Sequence, residues 1–438
     1  MARATIGVAD LDAVVPALPS AVDVHVSVGG DDLLAGRLYS HTGRGTESAT
    51  FTYDPRYLAD RRGYALEPAL PLVGGPQQTD VGLAMFRSFG DTTPDRWGRR
   101  LLERAERLRA ERHRSPSRRL TEFAFLLGVR DDLRQGALRF RDSASGVFVA
   151  DDVSGVPAVT ELPRLLALAD RVERDQVQWE ELRMLLRAGS SLGGARPKAH
   201  VTAPDGRIAI AKFPSANSDT WNVMAWEKTV LDLAAQAGVC VPASTLLTVA
   251  GRQVLVVDRF DRAEGLRVGY VSALTMLEAR DGDVGVYVDI GSAIEQCSLA
   301  TTADLHELWR RMALSVLVSN TDDHLRNHGF LHTGGDAWAL APAFDLNPNP
   351  DPGPKFLATA IADPSDRRAS VASLMRVAPL FRLSVEHAVV VLRDVVHATR
   401  QWRATAVRNG LSQRELNEMA PAFEHAEASV AREIAGVA

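Results

Sequence analysis

Apolar and polar positions alternate near the start of the chain and follow a helical spacing towards its end. Residues 22–28 place a valine at every second position, which is typical of a half-buried strand. Gly29 and Gly30 follow directly and predict a hairpin turn. Apolar residues recur every three or four positions over 305–316 and again over 385–402, which predicts amphipathic helices. The pattern therefore predicts a β-rich beginning and a helical end.

Turn and capping residues predict further elements between these regions. A proline–glycine turn near residue 205 predicts a hairpin over 198–213. A helix is expected from about residue 220 to 237. Another is expected to begin with Thr93 as its N-cap and Pro94 in its first turn.

The order of these elements predicts an α+β chain in three parts. A chain of 438 residues is too long to fold around one ordinary hydrophobic core. A turn-rich, acidic segment over 142–160 is a linker candidate, so we place the main boundary there. The expected parts are a β/α module over 1–150, a β-rich ATP-binding part over 151–265 and a helical lobe over 266–438.

Composition and charge narrow the classes of function. The net charge of −5 gives no case for direct nucleic-acid binding. Cys240 and Cys297 are far apart and in no metal-binding spacing, which fits a reducing cytoplasm. Residues 1–30 lack the basic and apolar regions of a signal peptide, and no stretch approaches the roughly 20 apolar residues that span a bilayer. We therefore expect a soluble, cytoplasmic protein without membrane contact.

The strongest chemical signal lies between residues 320 and 345. Asp322 is followed by Asn327, and then by Asp345 after a predicted hairpin over 329–340. Protein kinases use this constellation: the first Asp accepts the substrate hydroxyl proton, and the Asn and the second Asp hold Mg²⁺ on the ATP phosphates. Because the hairpin returns the chain to its start, Asp345 is expected near Asn327, where both can share one Mg²⁺.

Other interpretations of these residues stay open. The run Asp322-Asp323-His324 is by itself typical of a turn or an N-cap. Asp and His also ligate the metals of two-metal hydrolases, but no second cluster with ligand spacing follows. One of the two adjacent aspartates is expected to be structural. Asp345 has its own alternative, a cap or turn before Asn347.

A lysine and a glutamate upstream fit the same chemistry. Lys212 lies on a predicted strand among apolar residues, and Glu227 lies in an apolar setting on the next helix. Kinases use such a pair to hold the ATP phosphates; the alternative for Lys212 is an edge lysine that reaches solvent. Residues 189–198 are glycine-rich but match neither a Walker A nor a kinase GxGxxG loop. They form either a phosphate loop or a plain turn.

Together these segments resemble the HipA-like toxin kinases, the kinase half of bacterial type II toxin–antitoxin pairs. The small N-terminal module of that family is also similar over 53–58, 70–72 and 126–137, so the resemblance covers nearly the whole chain. In the kinase part it rests on Ser191-Leu192-Gly193-Gly194-Ala195-Arg196-Pro197-Lys198, Val257-Asp258-Arg259-Phe260-Asp261-Arg262, Asn320 to Asn327 and Pro342-Ala343-Phe344-Asp345.

The resemblance implies a serine/threonine protein kinase that depends on ATP and Mg²⁺. Its fold would be two-lobed and protein-kinase-like, with a β-rich N-terminal module and a mainly helical C-terminal lobe. Asp322 would be the catalytic base, and Asn327 and Asp345 the metal ligands. Arg326 stands where many relatives carry Lys. The implied nucleotide contacts are Gly193, Gly194, Ala195, Lys198, Lys212, Glu227, Asp258, Phe260, His324, Arg326, Asn327 and Asp345.

The resemblance also implies regulation and partners. Ser191 matches the position that such kinases autophosphorylate to switch themselves off, and Ser190 beside it is the alternative. A phosphate there adds a charge of about −1.5 to −2 next to the ATP site. The implied partners are a protein substrate (some members act on aminoacyl-tRNA synthetases) and a separately encoded antitoxin, through which alone DNA would be contacted.

Two functions of other classes stay open beside the kinase. One is a nucleotide-binding regulatory module without turnover, and the other is a small-molecule kinase, because a fold does not fix the acceptor. ATP binding without loss of the γ-phosphate would indicate the first. Phosphate on a metabolite and on no protein would indicate the second.

Overall fold

The computed structural model describes residues 19–43, 45–150, 155–189 and 194–437. The strands of this part are β1 (Ala21–Val28), β2 (Asp31–Gly43), β3 (Thr46–Tyr53), β4 (Pro76–Gln78), β5 (Leu138–Arg141), β6 (Lys198–Thr202), β7 (Ile208–Lys212), β8 (Ser244–Val249), β9 (Arg252–Asp258), β10 (Arg262–Ala263), β11 (Leu266–Arg267), β12 (Tyr270–Ser272), β13 (Gly285–Val286), β14 (Gly329–Gly334), β15 (Ala337–Leu340) and β16 (Thr359–Ala360). The α-helices are α1 (Pro55–Ala59), α2 (Arg87–Gly90), α3 (Arg96–His113), α4 (Glu122–Leu127), α5 (Leu162–Glu173), α6 (Trp179–Arg187), α7 (Val223–Gln236), α8 (Ala273–Met276), α9 (Tyr287–Cys297), α10 (Thr301–Leu317), α11 (Val371–Val377), α12 (Val385–Arg400), α13 (Trp402–Arg408), α14 (Gln413–Phe423) and α15 (Ala426–Ala435).

The described residues form two compact units by their contacts. The first unit comprises the chain up to Asn217 together with Asp261–Tyr270. The second comprises Ser218–Phe260 and the chain from Val271 onwards. The three-part division at residues 150 and 265 is a different one and stays a prediction.

An antiparallel five-stranded sheet forms the centre of the first unit, in the order β4-β3-β2-β1-β5. Val22, Val24 and Val26 on β1 are fully buried, and each such side chain stabilises the unit by about 1.5–3 kcal/mol. Gly29 and Gly30 join β1 to β2 with φ of 59° and 92°, a region that glycine enters without steric penalty. The predicted strand and turn are confirmed.

Helix α3 begins later than the capping pattern predicted. Thr93 is not the N-cap, because its hydroxyl donates to the carbonyl of Gly90 at 2.7 Å. Asp95 caps the helix instead, and its Oδ1 accepts from the backbone amide of Gly98 at 2.8 Å. A carboxylate at this position also favours the positive end of the helix dipole.

The hairpin predicted over 198–213 is confirmed in the first unit. Strands β6 and β7 pair in antiparallel register, with Lys198 opposite Lys212. Gly206 lies in the turn with φ of 86°. Side chains at paired positions share one face of a sheet, so both lysines project from the same face.

The second unit begins with a helix and a hairpin. Helix α7 begins at Val223, three residues later than predicted, because the side chain of Asn222 accepts from the backbone amide of Ala225 and caps it. Strands β8 and β9 pair with each other and pack against this helix. Trp226 on α7 is buried and contacts the ring of Trp402, whose own ring stacks on Phe423.

The helical part of the second unit is built around α10. Leu305, Leu308, Trp309 and Met312 on this helix are fully buried, which confirms the predicted stripe. Helices α9, α11 and α12 pack against it. The stripe predicted over 385–402 belongs to two helices, since α12 ends at Arg400 and α13 begins at Trp402. No helix in the described part of the chain combines the length and the apolar character needed to cross a bilayer.

Candidate active site

The segment with the predicted catalytic residues follows α10 directly. Ser319 takes a left-handed backbone with φ of 55° and turns the chain out of the helix. Its buried hydroxyl donates to the carbonyl of Ala422 at 2.9 Å, which compensates this strain. The backbone amide of Asn320 donates to the carbonyl of Ser315 at 2.8 Å. A helix end fixed in this way presents residues 321–327 as one short loop.

Asp322 and Asn327 are held together within this loop. The carbonyl of Asp322 accepts from the Asn327 side-chain amide at 3.2 Å and from the backbone amide of His324 at 2.9 Å. Asn327 is buried, whereas Asp322 is exposed. An exposed carboxylate on a fixed backbone can reach the hydroxyl of an incoming substrate.

Asp323 has the opposite environment to its neighbour. It is only 2% exposed, and its carboxylate accepts from the hydroxyls of Tyr287 and Ser315. His328 Nε2 lies 3.3 Å from its Oδ1, and Thr359 Oγ1 donates to its carbonyl at 2.7 Å. Asp323 therefore fixes the loop to the buried residues Tyr287, Ser315 and Thr359.

Electrostatics agree with this anchoring role. Burial alone would raise the pKa of Asp323, but the neighbouring imidazole of His328 and the hydrogen bonds from the two hydroxyls hold that pKa below its usual value. Burial and the neighbouring Asp323 charge raise the pKa of Tyr287 well above its usual range. The phenol thus keeps its proton and donates to an ionised carboxylate.

Asp345 lies on a strained segment that hydrogen bonds connect to the loop of Asp322. Its φ is 58°, a left-handed conformation that Asp tolerates better than most residues. The side-chain amide of Asn347 donates to the Asp345 carbonyl at 3.2 Å and to its Oδ1 at 3.3 Å. The backbone amide of Asn347 in turn donates to Oδ1 of Asn320 at 3.4 Å. Hydrogen bonds therefore connect the Asp345 segment to the start of the loop that holds Asp322.

Oxygen atoms at this segment fit a hard cation. Among the described residues, Oδ1 of Asn347 is buried and accepts no hydrogen bond. It belongs to the amide that contacts the Asp345 carboxylate. No group of three or more His, Cys, Asp or Glu side chains gathers as a metal site in the described ranges. Mg²⁺ differs from zinc here, since it binds through one or two carboxylates and completes its octahedron with water and phosphate oxygens.

Arg326 is paired away from the loop. Its guanidinium forms a bidentate pair with Asp281, with Nε–Oδ1 and Nη2–Oδ2 distances of 2.8 and 2.9 Å. Asp281 is mostly exposed, with a side-chain exposure of 75%. The planar fork of Arg suits this geometry, whereas a Lys would offer a point charge.

The segment over 258–260, which holds two of the implied nucleotide contacts, ends close to the Asp345 segment. Asp258 is the last residue of β9, and its backbone amide donates to the carbonyl of Ala243 at 2.8 Å. The ring of Phe260 lies against the ring of Phe344, with centroids 5.5 Å apart. Phe344 immediately precedes Asp345. Glu227 on α7 is 2% exposed, as its predicted apolar setting requires.

The first unit contains the predicted phosphate-binding lysines. Lys198 and Lys212 lie side by side at paired positions of β6 and β7. Gly194 has φ of 102°, and a Cβ there would lie 3.3 Å from Lys198 Nζ. The ammonium group thus lies against the backbone at Gly194, next to Ala195. Two adjacent cations beside a glycine loop favour a polyanionic ligand.

Some predicted contacts are not tested. Lys212 and Glu227 belong to different units, so their ion pair stays a prediction. Gly193, Ser190 and Ser191 lie outside the described residues.

Several residues that contact the predicted site residues were not predicted from the sequence. Asp95 accepts from Lys198 but lies far from it in the chain. Asn347 and Asp281 have no motif of their own, although the spacing of two residues from Asp345 to Asn347 is a usable signal for a side chain that bonds its neighbour's backbone. Tyr287 gives no signal at all, because only the fold brings it to Asp323.

Comparison with known proteins gives one family and two similar structures. Residues 190–426 match the model of the HipA-like C-terminal domain family. The structure is similar to HipA of Shewanella oneidensis MR-1, solved in a toxin–antitoxin complex with HipB and its operator DNA; the TM-score is 0.62 at 15% identity, over 95% of this chain and 100% of that chain. It also matches the Helicobacter pylori proinflammatory kinase CtkA with a TM-score of 0.43 at 16% identity, over 56% of this chain and 93% of that chain. The sequence matches no curated protein. The family resemblance and the predicted α+β, kinase-like fold class are confirmed.

Proposed function

The chain belongs to the HipA-like C-terminal domain family, and from that premise we propose that it is an ATP- and Mg²⁺-dependent serine/threonine protein kinase of the HipA toxin type. One observation carries the proposal. Hydrogen bonds through Asn320 and Asn347 join the loop of Asp322 to the segment of Asp345. A proton acceptor and a carboxylate that can bind a metal, joined in this way, are two of the parts that protein kinases use for phosphoryl transfer.

Asp322 is the proposed catalytic base. Its exposed carboxylate accepts the proton of a Ser or Thr hydroxyl as the hydroxyl oxygen attacks the γ-phosphorus. The bond from that phosphorus to the β–γ bridging oxygen breaks, and ADP leaves. Asn327 keeps the loop in place through its amide bond to the Asp322 carbonyl.

Asn327 and Asp345 are the proposed Mg²⁺ ligands, through their side-chain oxygens. Mg²⁺, when bound, neutralises the charge of the ATP phosphates. The unpartnered Oδ1 of Asn347 adds a further oxygen near Asp345, which fits a direct or water-mediated ligand. Through its buried hydrogen bonds, Asp323 keeps the loop that holds Asn327 rigid.

The remaining predicted residues are proposed to bind the nucleotide. Lys198 and Lys212 neutralise phosphate oxygens, with Glu227 as the partner of Lys212. The backbone of Gly193, Gly194 and Ala195 cradles the phosphates. Residues from Asp258 to Phe260 face the adenine. His324 and Arg326 lie in the catalytic loop, where their donors can contact the transferred phosphoryl group.

A separately encoded antitoxin is the proposed inhibitor. The similar Shewanella HipA was solved with HipB and its operator DNA, which supports an antitoxin partner for this chain and an indirect contact with DNA. Autophosphorylation of Ser191, or of Ser190 beside it, is the proposed off switch. The acceptor is proposed to be a protein hydroxyl.

Incubation of the purified protein with γ-labelled ATP and cell lysate tests the proposal. We expect label on protein bands when Mg²⁺ is present and none when EDTA removes it. Phosphopeptide mapping of the kinase itself then locates the modified serine. Binding of ATP without any transfer would instead indicate a silent regulatory module, and label on a small molecule alone would indicate a metabolite kinase.

A further inference from the structure

A buried ion pair in the first unit connects the N-terminal module to the proposed phosphate loop. Lys198 Nζ donates to Asp95 Oδ2 at 2.5 Å, and each side chain is 4% exposed. The other oxygen of Asp95 accepts from the backbone amide of Gly98. Both carboxylate oxygens are therefore engaged, one by the start of an 18-residue helix and one by the lysine.

The neighbouring residue fixes the backbone of the same lysine. Trp97 is 1% exposed, and its indole Nε1 donates to the carbonyl of Lys198 at 3.0 Å. The first turn of α3 thus holds Lys198 at two points, the ammonium through Asp95 and the carbonyl through Trp97. A long, flexible side chain held in this way loses its rotamer freedom before any ligand arrives.

The charges around Lys198 explain why an aspartate lies beside it. Lys198 lies opposite Lys212, and like charges at paired positions of adjacent strands repel. A buried ammonium also requires a counter-charge. Asp95 supplies one on the side of Lys198 that faces α3.

We infer that Asp95 is a positioning residue for nucleotide binding, which acts by holding Lys198 against the glycine-rich loop. This inference rests on the proposed function and adds to it the N-terminal module, which completes the ATP site instead of serving only as a structural appendage. Trp97 assists by fixing the backbone of the same lysine.

Equilibrium binding of ATP with Mg²⁺, measured by calorimetry on the full chain, tests the inference. Asp95→Asn removes the charge but keeps a good helix cap. We expect its Kd for ATP to rise about tenfold, since a charge-assisted hydrogen bond to the phosphate-binding group is lost. Steady-state kinetics should show the same rise in KM with little change in kcat. An unchanged or tighter Kd would overturn the inference.

A double-mutant cycle separates positioning from general damage. If Asp95 acts through Lys198, the double variant Asp95→Asn with Lys198→Met should bind ATP within about twofold of Lys198→Met alone. A further tenfold loss in the double variant would show that Asp95 acts by another route and would overturn the inference.

Glu106 on the same helix provides the matched control. Its carboxylate is 1% exposed and is paired with Arg109 and Arg118. Glu106→Gln should lower the melting temperature but leave the Kd for ATP unchanged. A similar loss of ATP binding in this variant would mean that any damage to α3 disturbs the site, which contradicts a specific role for Asp95.

The inference can also be tested if Asp95→Asn does not fold or if the wild-type chain does not bind ATP. If Asp95→Asn does not fold, Trp97→Phe decides, because it removes only the donor to the Lys198 carbonyl; a rise of about threefold in Kd is expected and an unchanged Kd overturns the inference. If the wild-type chain binds no ATP, the proposed function fails and the inference falls with it. Binding by the wild type with equal binding by Asp95→Asn overturns the inference alone.

Discussion

The described side-chain contacts of Asp345 in the second unit and of Lys198 in the first unit differ strongly in sequence range. In the second unit, Asn347 contacts Asp345 two residues away and Asn320 27 residues away. In the first unit, Lys198 depends on Asp95, which lies 103 positions earlier. A site assembled by near neighbours leaves a motif in the sequence, whereas a site assembled across a hundred residues does not. The molecule also contains one exposed carboxylate with a proposed catalytic role, Asp322, and buried carboxylates that hold other residues in place, such as Asp323 and Asp95.

Removing the exposed carboxylate has the largest expected effect. Asp322→Ala should lower the rate of phosphoryl transfer about 10³-fold, because general base catalysis contributes about 10²–10⁴. The Kd for ATP should stay within a factor of two, since Asp322 makes no proposed nucleotide contact. Labelled transfer and calorimetry measure the two quantities. Transfer that continues at the wild-type rate would remove the catalytic role of Asp322.

Removing the buried neighbour should instead destabilise the fold. Asp323→Asn takes the charge from a buried network and should lower the free energy of unfolding by about 3 kcal/mol. The matched variant Asp322→Asn, at an exposed position, should change it by less than about 0.5 kcal/mol. Denaturant titration at neutral pH measures both. Equal effects of the two variants would contradict the contrast between exposed and buried aspartates.

Acid should erase the difference between wild type and Asp323→Asn. The pKa of Asp323 is lowered in the folded state, so its ionised form adds stability above the unfolded-state pKa of about 3.9. That contribution is lost as the pH falls through the lower folded-state value. The stability gap between the two proteins should therefore be constant above about pH 5 and shrink below about pH 4. A gap that does not shrink at all between pH 5 and pH 2 would contradict the lowered pKa.

Asn347 tests the local assembly of the metal segment. Asn347→Ala removes the amide that contacts Asp345. It should raise the Mg²⁺ concentration that gives the half-maximal rate of transfer about tenfold, as loss of a residue that orients a metal ligand does. Asn349→Ala is the control, because its amide donates to Thr321 rather than to Asp345. The Mg²⁺ concentration for half-maximal rate measures the effect. An equal shift in both variants would show a general loosening of the loop.

The smallest effect is expected at Asp281. Asp281→Asn releases Arg326 from an exposed ion pair worth less than about 1 kcal/mol. The KM for ATP should fall about twofold, since the guanidinium then loses a charged competitor for phosphate, and the change should vanish at high salt. Asp283→Asn in the same loop serves as the control. A rise in KM would show that Asp281 positions Arg326 instead of competing for it.

Sequence patterns predicted the elements whose signals are local. The valines of β1, the turn at Gly206 and the stripe of α10 follow directly from alternation, turn chemistry and helical spacing. The start of α3 was wrong by a few residues because both Thr93 and Asp95 are suitable caps, and only the three-dimensional structure shows which one reaches a free amide. Element boundaries depend on such competition between equally good neighbours.

The candidate site was predictable to the extent that it is local. Asp322, Asn327 and Asp345 stand in a spacing that kinases share, and hydrogen bonds within the second unit connect their segments. The roles of Tyr287 and Asp95 could not be predicted, since each acts on a residue that the fold alone brings near. An aspartate before a helix looks the same in the sequence whether it caps the helix only or also binds a distant lysine.

The left-handed backbone at Asp345 limits which residues evolution could place at this position. Most side chains are strained at that φ, but Asn and Gly are not. A relative that lacks the proposed metal-binding carboxylate yet keeps this architecture is therefore expected to carry Asn or Gly at this one position. Relatives that lack the proposed activity can thus be sought by the residue at this one position, even where the rest of the motif is intact.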